Sequence, residues 1–201
     1  MKILETRIAA SAVSLLLALA APALPAQEWQ QPFTITSETF RAQQTLPLST
    51  IFNSVTNGVN ACTPNGAPGG DTSPQLTWSP AAKGAKSYAV ILFDETASFT
   101  HWGIYNIAPN VTSLPVNAGA NGTTFGSQIT NDFGDVQYDG PCPPPGLVHK
   151  YVFTVYALDT KLDLPGTSTF PNNAETLFRA LLGHVIEKAS IEANYASTPT
   201  Q

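Results

Sequence analysis

The stretch GPCPPPGLVHKYVFTVYALD, residues Gly140 to Asp159, decides what kind of sheet this chain builds. Four of its first six residues are proline. Proline locks φ and supplies no N–H, so Pro141 to Gly146 forms a stiff loop with few hydrogen bonds of its own. Behind the loop, Lys150 to Asp159 contains no breaker and is apolar on both alternating faces. Tyr151, Phe153 and Val155 share one face, and Val152, Tyr156 and Leu158 the other. That pattern predicts a strand covered on both sides, at the centre of a sheet. Side chains two apart on a strand point the same way, so His149 and Tyr151 face one side together, roughly 7 Å apart, where the rigid loop ends.

Working outward, Ser87 to Asp94 (SYAVILFD) has the same two-faced apolar pattern and ends on an acid, and His101 to Ile107 (HWGIYNI) reads as the next strand. If the two pair antiparallel, Asp94 and His101 sit at one mouth of the sheet. Phe33 to Phe40 and Leu46 to Phe52 alternate loosely, as edge strands do, and Leu76 to Trp78 is a short strand. Asn57 to Ser73 is dense in Gly, Asn, Pro and Asp and is expected to be one long surface loop; Val111 to Gly140 is expected to be mostly loop. A single helix is expected near the C-terminus, capped by Asn172 or Asn173, with Leu177, Leu181, Leu182 and Val185 at helical spacing and His184 inside it. Ala189 to Tyr195 alternates again as a last short strand. Sheet far exceeds helix in this reading, and the fold class is all-β dominated.

Composition agrees. Only 11% of the 201 residues are charged, with 14 glycines and 17 prolines, which suits a compact β-rich domain and argues against coiled coil or disorder. Lys2 and Arg7 precede an apolar run from Ile8 to Ala21, with small residues at Ala23 and Ala26, so residues 1–26 are expected to be a cleaved secretory signal and 27–201 a single domain. The run is 14 residues, short of the roughly 20 that span a bilayer, so no transmembrane segment is expected after cleavage. Losing Lys2, Arg7 and Glu5 leaves 7 basic and 13 acidic side chains, a net charge of −6, and nothing basic enough for nucleic acid. The chain is expected to be exported, periplasmic or extracellular. In an oxidising compartment the two cysteines, Cys62 and Cys142, are expected to form one disulfide, tying the Gly-rich segment to the proline loop.

The chemistry-bearing residues are few. The chain has three histidines, His101, His149 and His184, and no His–x–His or His–x–x–x–His pair to seed a zinc site. No Gly–x–Ser–x–Gly occurs, and Asp94 with Glu95 would point to opposite faces of a strand, which does not suit a glycosidase pair. What remains is a shallow polar pocket: Asp94 as acceptor, His101 and His149 as donors and Tyr151 with its phenol, walled by prolines. Such a set suits a small anion or zwitterion such as a phosphate ester.

Seven stretches together resemble one family: SPQLTWS (Ser73 to Ser79), SYAVILFD (Ser87 to Asp94), HWGIYNI (His101 to Ile107), NDFG (Asn131 to Gly134), GPCPPPG and HKYVFTVYALD (Gly140 to Asp159), and LLGHVIEKA (Leu181 to Ala189). In this order they resemble the phosphatidylethanolamine-binding proteins, also called Raf-kinase-inhibitor-like, and their bacterial YbhB/YbcL branch. The resemblance implies a large antiparallel sheet packed on a smaller one, with helix at the C-terminal end. It implies a non-enzymatic binding protein without a cofactor, whose cavity, made by Asp94, His101, Pro141, His149 and Tyr151, takes a small anion or a phospholipid headgroup. It also implies, as an alternative, inhibition of a protease or kinase through the loops around that cavity. A weak hydrolase or lyase is a further alternative on the residues themselves, because a histidine beside a carboxylate can act as a base. One stretch departs from the family. Where relatives read Asp-Pro-Asp-Ala-Pro, this chain reads DETAS, so Thr96 stands for the second acid and Glu95 and Ser98 for the prolines. The expected effect is a looser pocket.

Overall fold

The computed structural model describes residues 32–81, 84–164 and 172–197, so the expected signal, 1–26, lies outside the described residues. Strands β5 (Ser87–Asp94), β6 (Phe99–Ile107), β9 (His149–Leu158) and β10 (Val185–Tyr195) carry most of the regular structure, with the two-residue β8 (Ser127–Gln128) at one edge. They form an antiparallel five-stranded sheet in the order β10-β9-β5-β6-β8. The Lys150 strand is thus interior, as its two apolar faces require, but the central strand is β5. A second antiparallel sheet joins β1 (Ile35–Thr36), β4 (Leu76–Trp78) and β7 (Ser113–Leu114) in the order β1-β4-β7. The helix α1 spans Ala174–Leu181.

Alternation along β5 explains the layering. Val90 and Leu92 pack with Trp102, Ile104, Phe153 and Val155 in a core that includes Leu76, Trp78 and Leu114 of the small sheet. The intervening Ala89 and Ile91 face the other way, into a second cluster with Tyr105, Ile129, Leu177 and Leu181. The large sheet therefore carries the small sheet on one face and α1 on the other. Each fully buried Leu, Ile, Val or Phe contributes roughly 1.5–3 kcal/mol. Gly103 of β6 lets the helix layer approach, because a Cβ there would lie 2.6 Å from the Ile129 side chain and 3.2 Å from Leu177.

Several expectations need correction. Only Ile35–Thr36 of the first segment is strand, and Leu46 to Phe52 is a 3₁₀ turn at Leu48–Thr50. Pro47 starts that turn, and both the amide and the hydroxyl of Thr50 donate back to its carbonyl, while Leu46 and Ile51 go to the core. Within the expected long loop, Asn57 and Gly58 close a hairpin between β2 (Val55–Thr56) and β3 (Val59–Asn60), both turn residues at positive φ as a tight Asn-Gly turn demands. A 3₁₀ turn follows at Pro64–Gly66. The helix is shorter than its apolar spacing suggested: Gly183, at φ +81°, turns the chain back, Leu182 is 76% exposed and Val185 begins β10. His184 consequently lies in the turn, its Nδ1 2.9 Å from Asp159 Oδ1. β10 begins four residues before the expected start because its first half is an edge with a polar face. Val111 to Gly140 is mostly loop, as expected.

Candidate functional site

The site forms at one end of the large sheet, where β5 finishes and β6 and β9 begin. Register places Asp94 opposite Phe99 on one side and Tyr151 on the other. Between the pairs Leu92↔Trp102 and Phe93↔Thr100, His101 has no partner on β5, so β6 carries a bulge there. The extra residue resets the alternation. Trp102 faces the small sheet, the buried Thr100 lies on the α1 side, and His101 is turned to the side of Asp94 and Tyr151.

These side chains line a cavity of about 150 Å³. Asp94 is 2% exposed and holds three hydrogen bonds. Its Oδ1 accepts from the amides of Thr96, at 2.9 Å, and Ala97, at 3.0 Å, while Oδ2 lies 2.7 Å from His149 Nδ1. A carboxylate has no proton to give, so Nδ1 of His149 is the donor and Nε2 is left toward the cavity. His101, 3% exposed, is oriented by a different acceptor: its Nδ1 lies 2.9 Å from the carbonyl of Asp139, so this ring too leaves Nε2 at the cavity. Burial lowers the His101 pKa below the ordinary histidine value, with the Asp139 carbonyl and the Asp94 charge offsetting part of the effect. Tyr151 is fully buried, and among the described residues its hydroxyl has no hydrogen-bond partner. Burial, and then the nearby Asp94 charge, push its pKa well up, so it remains a neutral O–H donor. Its ring stacks on His149 at 6.3 Å and meets His101 edge-on at 5.4 Å.

The walls come from the proline loop, the Phe133 loop and the start of β6. Pro143 and Pro144 line the cavity together with Cys142, which is bonded to Cys62. Pro141 is buried behind them, its carbonyl accepting from the Phe52 amide, and is not among the lining residues. The structure therefore brings together Asp94, His101, His149 and Tyr151 of the expected set and sets Pro141 one layer back. Phe99 and Phe133 close another side, Phe133 stacked on Phe52 at 5.0 Å and edge-on to Phe99 at 4.8 Å. Asn131 builds the Phe133 loop. Its Oδ1 accepts the amides of Phe133, Gly134 and Asp135, and its Nδ2 donates to Asp139 Oδ2 at 2.7 Å and to the His101 carbonyl at 3.2 Å. Asp71 ties the floor down by accepting the Gly140 amide at 2.7 Å. Sequence reasoning assigned no role to Phe99, Asn131, Phe133, Asp139 or Asp71. For Asn131 the NDFG turn signal was available, whereas for Phe99 and Asp139 no local pattern marks the residue.

The DETAS departure does not leave the turn loose. Thr96 Oγ1 accepts the Lys150 amide at 3.0 Å, the Glu95 amide donates to the Lys150 carbonyl at 3.0 Å, and Lys150 Nζ lies 2.9 Å from Glu95 Oε2. Hydrogen bonds to β9 hold what proline would otherwise stiffen. Among the described residues no three His, Cys, Asp or Glu side chains stand close enough to hold a metal ion, and no helix is long and apolar enough to cross a membrane.

Comparison with known proteins gives a concordant picture. Residues 36–196 match the family model described as phosphatidylethanolamine-binding protein. A UPF0098 protein of Methanothermobacter thermautotrophicus is 41% identical over 133 residues, covering 63% of this chain and 84% of that protein. YbcL of Escherichia coli is 39% identical over 138 residues, covering 64% of this chain and 70% of YbcL. The crystal structure of E. coli YbcL, a new member of the mammalian PEBP family, is similar with a TM-score of 0.67 at 33% identity over 83% of this chain and 99% of that one.

Proposed function

The chain belongs to the phosphatidylethanolamine-binding protein family, and we propose that its cavity binds a small phosphate-type anion, either free or as the headgroup of a phospholipid. The observation that carries this reading is the convergence of three polar side chains on one cavity. His101 Nε2, His149 Nε2 and the Tyr151 hydroxyl all meet one cavity of about 150 Å³ while the other nitrogen of each imidazole is held by a fixed acceptor. As an imidazolium, His149 donates from Nε2 to the anion and its charge is balanced by Asp94 on the opposite edge. Tyr151 donates from a hydroxyl that needs no reorganisation. The stiff walls, two prolines and a disulfide on one side and Phe99 and Phe133 on the other, keep the groups in place when the site is empty.

Calorimetric titration with methyl phosphate tests the reading on wild type, His149→Ala and His184→Ala. Binding by wild type and His184→Ala, weakened by about 1.5–3 kcal/mol in His149→Ala, is the expected result, that being the worth of a charge-assisted hydrogen bond. Equal affinities in all three would refute it. A second arm with short-chain phosphatidylethanolamine micelles separates a headgroup site from one for free phosphate.

The same reading has the chain exported. The basic residues ahead of Ile8 to Ala21 and a disulfide between Cys62 and Cys142 support it. N-terminal sequencing of protein recovered from a secretion-competent host is expected to begin near residue 27, and a chain retaining Met1 would count against export.

A further inference from the structure

We propose that the cavity works at a membrane surface: Leu147 and Val148, at the tip of the proline loop, and Phe133 form an apolar rim that enters the interface of a zwitterionic phospholipid bilayer while a headgroup phosphate fills the cavity. The inference rests on the reading of the cavity as an anion site and commits that site to lipid held in a bilayer. It starts from size. The cavity measures about 150 Å³. Pockets that enclose a drug-sized ligand run to roughly 300–1,000 Å³. A phospholipid held here by its phosphate therefore leaves its acyl chains outside the mouth, and an apolar phase is what covers such chains favourably.

The mouth is shaped to meet such a phase. Pro144 to Val148 are all exposed, and they run from a residue that lines the cavity to the one before His149. Leu147 is 54% exposed and Val148 50%. Phe133, which lines another side of the cavity, is 41% exposed. Between Gly140 and Val148 no side chain carries a charge, a hydroxyl or an amide. A partner protein would find no side-chain hydrogen bond on this loop, whereas protein interfaces carry a polar rim. A lipid interface asks only for apolar side chains. The rim is also prevented from folding back on the protein. The Leu147 amide donates to the Pro144 carbonyl at 3.3 Å, Cys142 at the base of the loop is bonded to Cys62, and Phe133 is stacked on Phe52 at 5.0 Å. Apolar side chains held out on stiff loops beside a binding cavity mark an interaction surface more clearly than exposure scattered over the molecule.

Charge selects the kind of bilayer. No Lys or Arg occurs between Lys86 and Lys150, the span that supplies every lining residue of the cavity except Tyr151. Lys150 itself is taken up by Glu95 at 2.9 Å and Glu192 at 3.0 Å. Asp132 and Asp135, both exposed, flank Phe133. The rim thus lacks the basic residues that draw proteins to anionic lipid and carries carboxylates that such a surface repels. A phosphatidylethanolamine or phosphatidylcholine surface presents the phosphate without that repulsion.

The test uses flotation with unilamellar vesicles of phosphatidylethanolamine and phosphatidylcholine, alongside calorimetry with methyl phosphate, which follows the cavity alone. Wild type is expected to float with the vesicles, and saturating methyl phosphate to release it, because the two phosphates compete for one cavity. Leu147→Ser combined with Val148→Ser is expected to weaken vesicle binding at least about tenfold and to leave methyl phosphate affinity unchanged. Leu147→Trp is expected to add emission that shifts to the blue on vesicles and is quenched by brominated acyl chains; it reads out even if the serine variant fails to fold. Replacing part of the lipid by phosphatidylglycerol is expected to weaken binding. Methyl phosphate binding without flotation, a serine variant that floats like wild type, or an indole at position 147 that stays in water would overturn the inference while leaving the anion site standing. Flotation that methyl phosphate does not reverse, or that strengthens on anionic vesicles, would also overturn it. Failure of methyl phosphate to bind would instead overturn the underlying function.

Discussion

Asp94 joins two parts of the site, because one buried carboxylate caps the Glu95–Ser98 turn with Oδ1 and orients His149 with Oδ2. Replacing it by alanine strands the two amides and the imidazole N–H together. Asp94→Ala is expected to lose about 3 kcal/mol of stability by urea unfolding, together with most of the anion affinity. A loss below about 1 kcal/mol would show that water replaces the carboxylate at little cost. At this level the sequence was informative for a physical reason. His149 and Tyr151 share a face by strand alternation alone, Asp94 stands where an apolar strand ends, and antiparallel pairing puts His101 at the same mouth, so all four polar lining groups were legible. Their partnership was not: spacing put Asp94 near His101, whereas its hydrogen bond goes to His149 across the β5–β9 register.

The elements that were hard to read are those in which one residue breaks a pattern. His101 reaches the cavity only because it is the unpaired residue of a bulge, and period-2 alternation has no term for an extra residue. The β2–β3 hairpin was hidden in a polar stretch although Asn57-Gly58 signalled it, since strands of two residues leave no periodicity to detect. The C-terminal helix shows the opposite case: its cap was visible, but two apolar positions beyond its end, Leu182 and Val185, mimicked continuation. Asn173 accepts the Thr176 amide at 3.0 Å, and Thr176 Oγ1 accepts the Asn173 amide at 2.9 Å, a reciprocal cap. Asn173→Ala is expected to cost about 1 kcal/mol by thermal or urea unfolding and to leave anion affinity unchanged, because α1 lies on the face of the sheet away from the cavity. A parallel loss of affinity would mean that the two faces are coupled. Gly140→Ala is expected to do the reverse of sparing the site. Its Cβ would press on the Thr50 carbonyl and the Phe52 amide, backbone atoms that do not yield easily, and the shift would reach Cys142 and Pro143. A destabilisation of about 1–3 kcal/mol with weakened binding is the expected outcome in the same two assays.

For the molecule as a whole, the dominance of sheet over helix followed from the apolar faces of β5 and β9, the packing of a large sheet on a smaller one from the family resemblance, and the Cys62–Cys142 pairing from an isolated pair of cysteines. The bond closes a sequence separation of 80 residues, for which chain entropy gives roughly 4–5 kcal/mol. Reduction is expected to lower the urea midpoint accordingly, and an unchanged midpoint would remove the bond from the stability account. Acidity adds a second dependence. The Asp71 carboxyl is pushed up to about 6, first by burial and then by the Asp139 and Asp135 charges, with the Gly140 amide working against them. A carboxyl raised in the folded state stabilises it fully below the unfolded value, and that contribution is lost as pH rises through about 6. His101 acts oppositely, its lowered folded pKa removing stability as pH falls below the ordinary histidine value. Asp71→Asn, which keeps an acceptor for Gly140, is therefore expected to exceed wild type by about 1 kcal/mol at about pH 7.5, after allowance for solvent screening, and to lose that advantage at about pH 4.5. Identical pH profiles would show that Asp71 titrates normally.

The claim on which the rest depends is that His101 and His149, and not His184, meet the anion. Nitrogen-15 imidazole resonances, followed by long-range proton correlation during a titration with methyl phosphate at about pH 6, observe those atoms directly. The account predicts saturable shifts at Nε2 of His101 and His149, with both Nδ1 signals retaining their hydrogen-bonded protons and His184 unmoved. Shifts confined to His184, or no shift at His101 and His149 at saturating ligand, would contradict it.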